Sequence, residues 1–118
     1  MSKTRGQIEA EISEAIIKFE KEYMGRGPLE TKTYIIEDLI LVRLRGVLTK
    51  AEYQLASTDG RSLIKKMRIA LLEKGRPLLE TVVESIIDQK IKSLHTDIST
   101  KTGEKIIIFT LDFPPKLE

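Results

Sequence analysis

The sequence predicts a two-layer α+β fold, in which two hairpins make a four-stranded antiparallel sheet with helices on one face, in the order α-ββ-αα-ββ. Two observations lead to it. Apolar residues recur every three or four positions in two long stretches, as they do on helices, and fall into two pairs of short β-branched runs, as they do in hairpins. Between them stand breakers: Gly25-Arg26-Gly27-Pro28, Glu37-Asp38, Ser57-Thr58-Asp59-Gly60 and Thr100-Lys101-Thr102-Gly103.

The first helix is predicted over 7–24, where Ile8, Ile12, Ala15, Ile16, Phe19 and Tyr23 share one side and Glu9, Glu11, Glu14, Lys18, Glu20 and Lys21 take the others. Gly25 offers the left-handed stop and Pro28 cannot continue a helix. A hairpin follows, from Thr31–Ile36 to Leu39–Gly46. With Glu37-Asp38 as the turn, Ile35 faces Ile40, Thr33 faces Val42, and Tyr34 faces Leu41 on the opposite side. Glu-Asp is not a favoured tight-turn pair, so a register one residue away is the alternative.

Thr49-Lys50-Ala51-Glu52 has the form of a capping box, opening a short helix that ends near Ala56. Beyond Gly60 a longer helical stripe runs Ile64, Met67, Leu71, Leu78, Val82 and Ile86. It keeps its phase across Gly75 and Pro77, which predicts one kinked helix in preference to two. After the kink, Leu78, Leu79, Val82, Val83, Ile86 and Ile87 span about half the circumference at ~100° per residue, more than one sheet face requires. A second partner surface is expected there.

The last hairpin joins Lys90–Ser99 to Glu104–Leu111. Its first strand puts Leu94, Thr96 and Ile98 on one side and Ser93, His95 and Asp97 on the other, while its second is apolar on both sides. One sheet face then lacks a cover within the chain, leaving Tyr34, Leu39 or Leu41, and part of Ile106–Leu111 exposed. A symmetric homodimer would bury them. The expected domain is 1–113, with 114–118 a flexible tail after Pro114-Pro115.

Composition narrows the function. Twenty basic and eighteen acidic residues are interleaved to a net +2 without a basic block, so nucleic-acid binding gains no support. Cysteine is absent, which excludes disulfides, thiolate nucleophiles and cysteine-ligated metals and points to a reducing compartment, the cytoplasm. The first residues turn acidic and amphipathic without a signal-peptide core, so export is not expected. Leu39–Val42 and Ile106–Phe109, the longest apolar runs, fall far short of the ~20 residues of a membrane span. No nucleophile–base pair, P-loop or dinucleotide fingerprint occurs, so neither catalysis nor a cofactor is expected.

The candidate contacts for a ligand or partner are His95, Asp97, Ser99, Arg26, Arg43 and Arg45. His95 and Asp97, two apart on a strand, share a face and are the one pair suited to acid–base work; polar surface contacts or a turn cap for Asp97 are the plainer readings. A single histidine cannot build a metal site with the usual partners. Arg26 lies in a glycine-rich segment that could offer N–H groups to an anion, but the segment follows a helix, where a helix stop is the ordinary explanation. Arg43 and Arg45 share one side of a strand with Lys32, as a basic stripe or as the solvated side of a sheet.

Four segments carry a family resemblance: Gln7-Ile8-Glu9-Ala10-Glu11-Ile12-Ser13, Tyr23-Met24-Gly25-Arg26-Gly27-Pro28, Arg76-Pro77-Leu78-Leu79, and Leu94 through Glu104. Together they resemble the MpsC domain family over essentially the whole chain. The resemblance implies a soluble accessory component or regulator of a sodium-translocating membrane potential-generating system, with ion passage left to partner proteins. It transfers no role to the matching positions Gly25, Arg26, Gly27, Pro28, Arg76, Pro77, His95, Asp97 and Ser99. The leading expectation is a non-enzymatic, cytoplasmic, homodimeric accessory protein that docks on a membrane complex or another protein through its sheet or kinked helix. A small-molecule or anion sensor using the His95/Asp97 face is the alternative, and an enzyme using that pair is the third.

Overall fold

The computed structural model describes residues 3–57 and 59–118, so of the third breaker segment Thr58 lies outside the described residues. Three helices and four strands follow the expected order: α1 Arg5–Tyr23, β1 Glu30–Ile36, β2 Leu39–Arg45, α2 Lys50–Ala56, α3 Arg61–Ile87, β3 Ile91–Ile98 and β4 Lys105–Leu111. The sheet is antiparallel throughout, in the order β1-β2-β4-β3. The two hairpins therefore meet through their second strands, and β1 and β3 are the edges.

Capping places both short-range helix starts. Thr4 Oγ1 accepts from the Gln7 N–H while the Gln7 side chain accepts from the Thr4 N–H, and Thr49 and Glu52 repeat the exchange at α2. α1 stops where Gly25 takes φ 83°, a conformation that costs glycine little. The first hairpin has the expected register, with Ile35 opposite Ile40 and Thr33 opposite Val42. Its turn puts Glu37, a residue with a Cβ, at φ 54°.

The core lies between the helices and one face of the sheet. Ile8, Ile12, Ile16 and Phe19 of α1 meet Ile40, Val42, Ile107 and Phe109 of the central strands, all at most 4% exposed. Helix α3 runs unbroken through Pro77, which stands on its exposed side. The missing proline N–H thus faces solvent, where the carbonyl it would have bonded can be hydrated.

The buried face of α3 differs from the expected stripe. Ile64, Arg68, Leu72, Gly75, Leu79, Val83 and Ile87 are buried, whereas Met67 and Leu78 are 44% and 43% exposed. The apolar arc was wide enough to admit two phases. Gly75, which has no side chain to signal burial, and Arg68, which is charged, occupy core positions that an apolar count passes over. Of the segment expected to meet a second surface, Leu79, Val83 and Ile87 are in the core, Val82 and Ile86 are half-buried and Leu78 is exposed; Leu63 and Met67, earlier in the helix, are also exposed.

Residues 114–118, for which the sequence alone suggests a loose tail, run beside the N-terminus. Pro115 is buried, Leu117 packs against the core, Lys3 and Leu117 form a parallel bridge, and the Glu118 N–H donates to the Lys3 carbonyl at 2.9 Å.

At Gly75 α3 lies tight against α1: a Cβ there would stand 2.7 Å from the Phe19 ring and 2.9 Å from that of Tyr23, two rings stacked at 5.1 Å. Helix propensity alone would favour alanine by about 1 kcal/mol. Overpacking wins, and Gly75→Ala should lower stability by about 1–3 kcal/mol, read as a lower urea midpoint. An unchanged or raised midpoint would show that the helices separate at no cost.

Candidate functional site

Alternation along the strands sorts the sheet into an inner and an open face. Register lines up three rows on the open face: Ile36, Leu39, Thr110 and Ser93; Tyr34, Leu41, Ile108 and His95; and Lys32, Arg43, Ile106 and Asp97. The middle of the face is apolar, with Tyr34 and Ile36 at 41% and 49% exposure and Leu39, Leu41, Ile106 and Ile108 half-buried by their neighbours. Both Leu39 and Leu41 lie here. The helices pack on the other face, so no element among the described residues covers this one.

One end of the open face is charged. Arg43 Nε donates to Glu104 Oε2 at 2.7 Å, Arg45 lies 3.8 Å from both Glu104 and Glu30, and Lys32 lies 3.6 Å from Glu30. These are partly exposed pairs, each of small energetic weight. They place both signs of charge side by side around the apolar centre.

The sheet edges carry side chains aimed at the backbone. On β1, Glu9 Oε2 accepts from the Ile35 N–H at 2.9 Å and Arg5 Nη1 donates to the Ile35 carbonyl at 2.5 Å. On β3, Arg76 Nη2 donates to the Leu94 carbonyl at 3.4 Å, Asp97 Oδ1 accepts from the Ile98 N–H at 2.8 Å, and Glu84 Oε2 accepts from the Ile91 N–H at 2.9 Å. At these positions, backbone groups that could template another strand are engaged from within the chain.

The six candidate residues separate into distinct places. His95 is exposed on the open face, with Nε2 3.0 Å from Ser93 Oγ. Asp97 is at the β3 edge, bonded to Ile98 and 3.5 Å from Lys65, so no hydrogen bond joins it to His95. Ser99 belongs to the final turn: its Oγ accepts from the Thr102 N–H, its carbonyl from Gly103 and its own N–H bonds the Glu104 carbonyl. Arg26 Nη1 donates to the Leu48 carbonyl at 2.7 Å, tying the segment after α1 to the loop before α2. Only Arg43 and Arg45 come together, around Glu104.

Sequence reasoning passed over the most unusual polar group. Glu20, fully buried, meets Lys105, 3% exposed, at 3.0 Å between α1 and β4. Burial pulls the Lys105 ammonium below its ordinary pKa, an effect that Glu20 partly offsets and the nearby Arg68 charge reinforces. Arg68 is itself buried, held by Glu52 at 2.8 and 2.7 Å and by the Val47 carbonyl at 2.9 Å. A signal was present: Ile8, Ile12, Ile16 and Glu20 are four apart, Ile64, Arg68 and Leu72 are four apart, and Lys105 alternates with Ile107, Phe109 and Leu111. Each charged residue is in phase with a core stripe. Among the described residues there is no group of three or more His, Asp or Glu side chains that could hold a metal ion, and no helix long and apolar enough to cross a membrane.

Residues 4–113 match the family described as the Na+-translocating membrane potential-generating system (MpsC), and the chain belongs to it. Two Bacillus subtilis (strain 168) proteins are similar. Uncharacterized protein YbcI is 45% identical over 112 residues, covering 94% of this chain and 90% of its own, and uncharacterized protein YrhF is 27% identical over 107 residues, covering 86% and 85%. No solved structure matches.

Two outcomes follow from the buried charges. Glu20→Gln strands the Lys105 ammonium in the core and should cost about 3–5 kcal/mol, whereas the pair Glu20→Met with Lys105→Met should recover most of it. Urea unfolding of both variants checks this, and a double variant no better than the single one would contradict it. For Glu52, burial raises the carboxyl pKa, but hydrogen bonds from Arg68 and the Thr49 N–H outweigh it and hold the group below its ordinary value of about 4.5. The unfolded chain then takes up that proton more readily, so the contribution is whole above the ordinary value and is lost as pH falls through the lowered one. Glu52→Gln should be less stable at neutral pH and lose less on acidification; equal acid slopes would count against it.

Proposed function

We propose that this chain is a non-enzymatic, cytoplasmic accessory or regulatory protein of a sodium-translocating membrane potential-generating system, acting as a homodimer joined through the open sheet face. One observation carries the reading: a broad apolar sheet face is left uncovered among the described residues, while some backbone groups on both edges beside it are engaged from within the chain. A monomer rarely leaves such a patch to water. Edge pairing is disfavoured by Arg5 and Glu9 on β1 and by Arg76, Asp97 and Glu84 on β3, so association falls to the face.

The second copy is favoured as occupant because a two-fold axis needs a patch complementary to itself. Lys32, Arg43 and Arg45 lie among Glu30 and Glu104 at one end of the face, so a two-fold-related copy can set opposite charges against each other around the apolar rows. Family membership supports the link to the membrane system. In this reading ion passage belongs to other subunits, and the exposed Leu63–Met67–Leu78 flank of α3 is free to meet them.

Light scattering of the purified chain at micromolar concentration should return the mass of two chains, and Leu41→Glu should return that of one with its circular dichroism unchanged. A monomeric wild type would overturn the dimer. Affinity purification from the native host tests the remainder: co-purification of membrane subunits with the wild type, and their retention in Leu41→Glu but loss in Met67→Glu, is the expected pattern. Absence of membrane subunits from the wild-type preparation would count against the accessory role.

A further inference from the structure

A cleft of about 30 Å³ lies between α3 and β3, lined by Lys65, Arg68 and Leu72 of α3, Thr96 and Ile98 of β3, and Lys105 of β4. One water needs roughly 10–15 Å³ by the same measure, so the space suits a group of a few atoms. Its surface is mostly apolar, with two buried cations among the residues that line it. Arg68 and Lys105 are 6% and 3% exposed, while Lys65 stands at the outer end, 3.5 Å from the exposed Asp97.

Hydrogen-bond donors are in surplus here. An ammonium has three N–H groups, and among the described residues Lys105 makes one hydrogen bond, to Glu20. Arg68 uses Nε and Nη2 on Glu52 and Val47, and Nη1 makes no hydrogen bond among the described residues. The Thr96 hydroxyl is buried without a partner among the described residues, and on the other side of Lys105 so is one acceptor, Glu20 Oε1, which can take at most part of the surplus. Water would bring two further donors to such a place, whereas an anion brings acceptors alone. Glu20 and Glu52 approach the same two cations but are not among the residues lining the cleft, and Asp97, the one carboxylate that is, has one oxygen on the Ile98 N–H.

We propose that this cleft is a binding site for a small monovalent anion of one to three heavy atoms, a halide or the smallest carboxylate, held by Lys105, Arg68 and the Thr96 hydroxyl with Lys65 at the entrance. It is distinct from the centre of the open face: α3, the inner side of β3 and Lys105 of β4 form most of it, and of the open-face rows Asp97 alone reaches its rim. Binding would draw α3 toward the β3 edge and so join the helical layer to that strand. The apolar walls, Leu72 and Ile98, exclude larger or strongly hydrated anions.

Thermal melting of the full chain tests this, with sodium chloride or sodium formate exchanged against sodium gluconate at constant ionic strength. The melting temperature should rise saturably with chloride and with formate and stay level in gluconate. Thr96→Val, which keeps the side-chain shape, should weaken the chloride midpoint about tenfold, the loss of one charge-assisted hydrogen bond. Lys65→Ser, on the surface and harmless to the fold, should weaken it several-fold. Chloride-35 NMR line broadening by the wild type, reduced in both variants, is the independent readout. A melting temperature indifferent to the anion, or midpoints in both variants equal to the wild type, would overturn the site.

Discussion

Glu20 and Lys105 tie the rotation of one helix to the register of one strand. Apolar pattern leaves β4 ambiguous, because Ile106, Ile107 and Ile108 would serve either face, and a slip of one residue exchanges the faces of a strand. Lys105 breaks that ambiguity. In the observed register it points at the helices and finds a fully buried carboxylate 3.0 Å away; in the slipped one it would lie on the open face and leave Glu20 uncompensated. An apolar pair of similar volume could hold the layers together at least as firmly. It could not tell the two registers apart.

Arg68 extends the same device. Its guanidinium takes both oxygens of Glu52, and Glu52 in turn caps α2 through the Thr49 N–H, so the short helix, the long helix and the loop at Val47 share one set of hydrogen bonds. A seven-residue helix is too short to persist by its own propensity. α2 owes its place to that connection, and it has no buried residue of its own.

Fold class was legible because local signals agreed with one another. The Thr49 box, the Gly25 stop and the Glu37-Asp38 turn each act within a few residues, and the structure repeats them. The phase of α3 was not, since its core face includes Gly75 and Arg68, whose burial depends on Phe19, Tyr23 and Glu52 elsewhere in the chain. For the same reason the site candidates were sorted by type: exposed His95 and the arginines attracted notice because charged and titratable groups are expected at sites. The buried lysine and glutamate resembled surface residues until α1 and β4 were brought together. Family membership was legible from whole segments such as Leu94 to Glu104, where matching depends on neither phase nor contact.

The guarded edges bear on how far assembly can proceed. A strand edge left open can add neighbours without limit, because each addition presents the same edge again. A face that pairs about a two-fold axis is consumed when it is used. Arg5 and Glu9 at the Ile35 position of β1, and Arg76 and Asp97 along β3, already engage backbone groups that open-ended strand addition would use, so growth of the sheet from one copy to the next meets an obstacle at both edges.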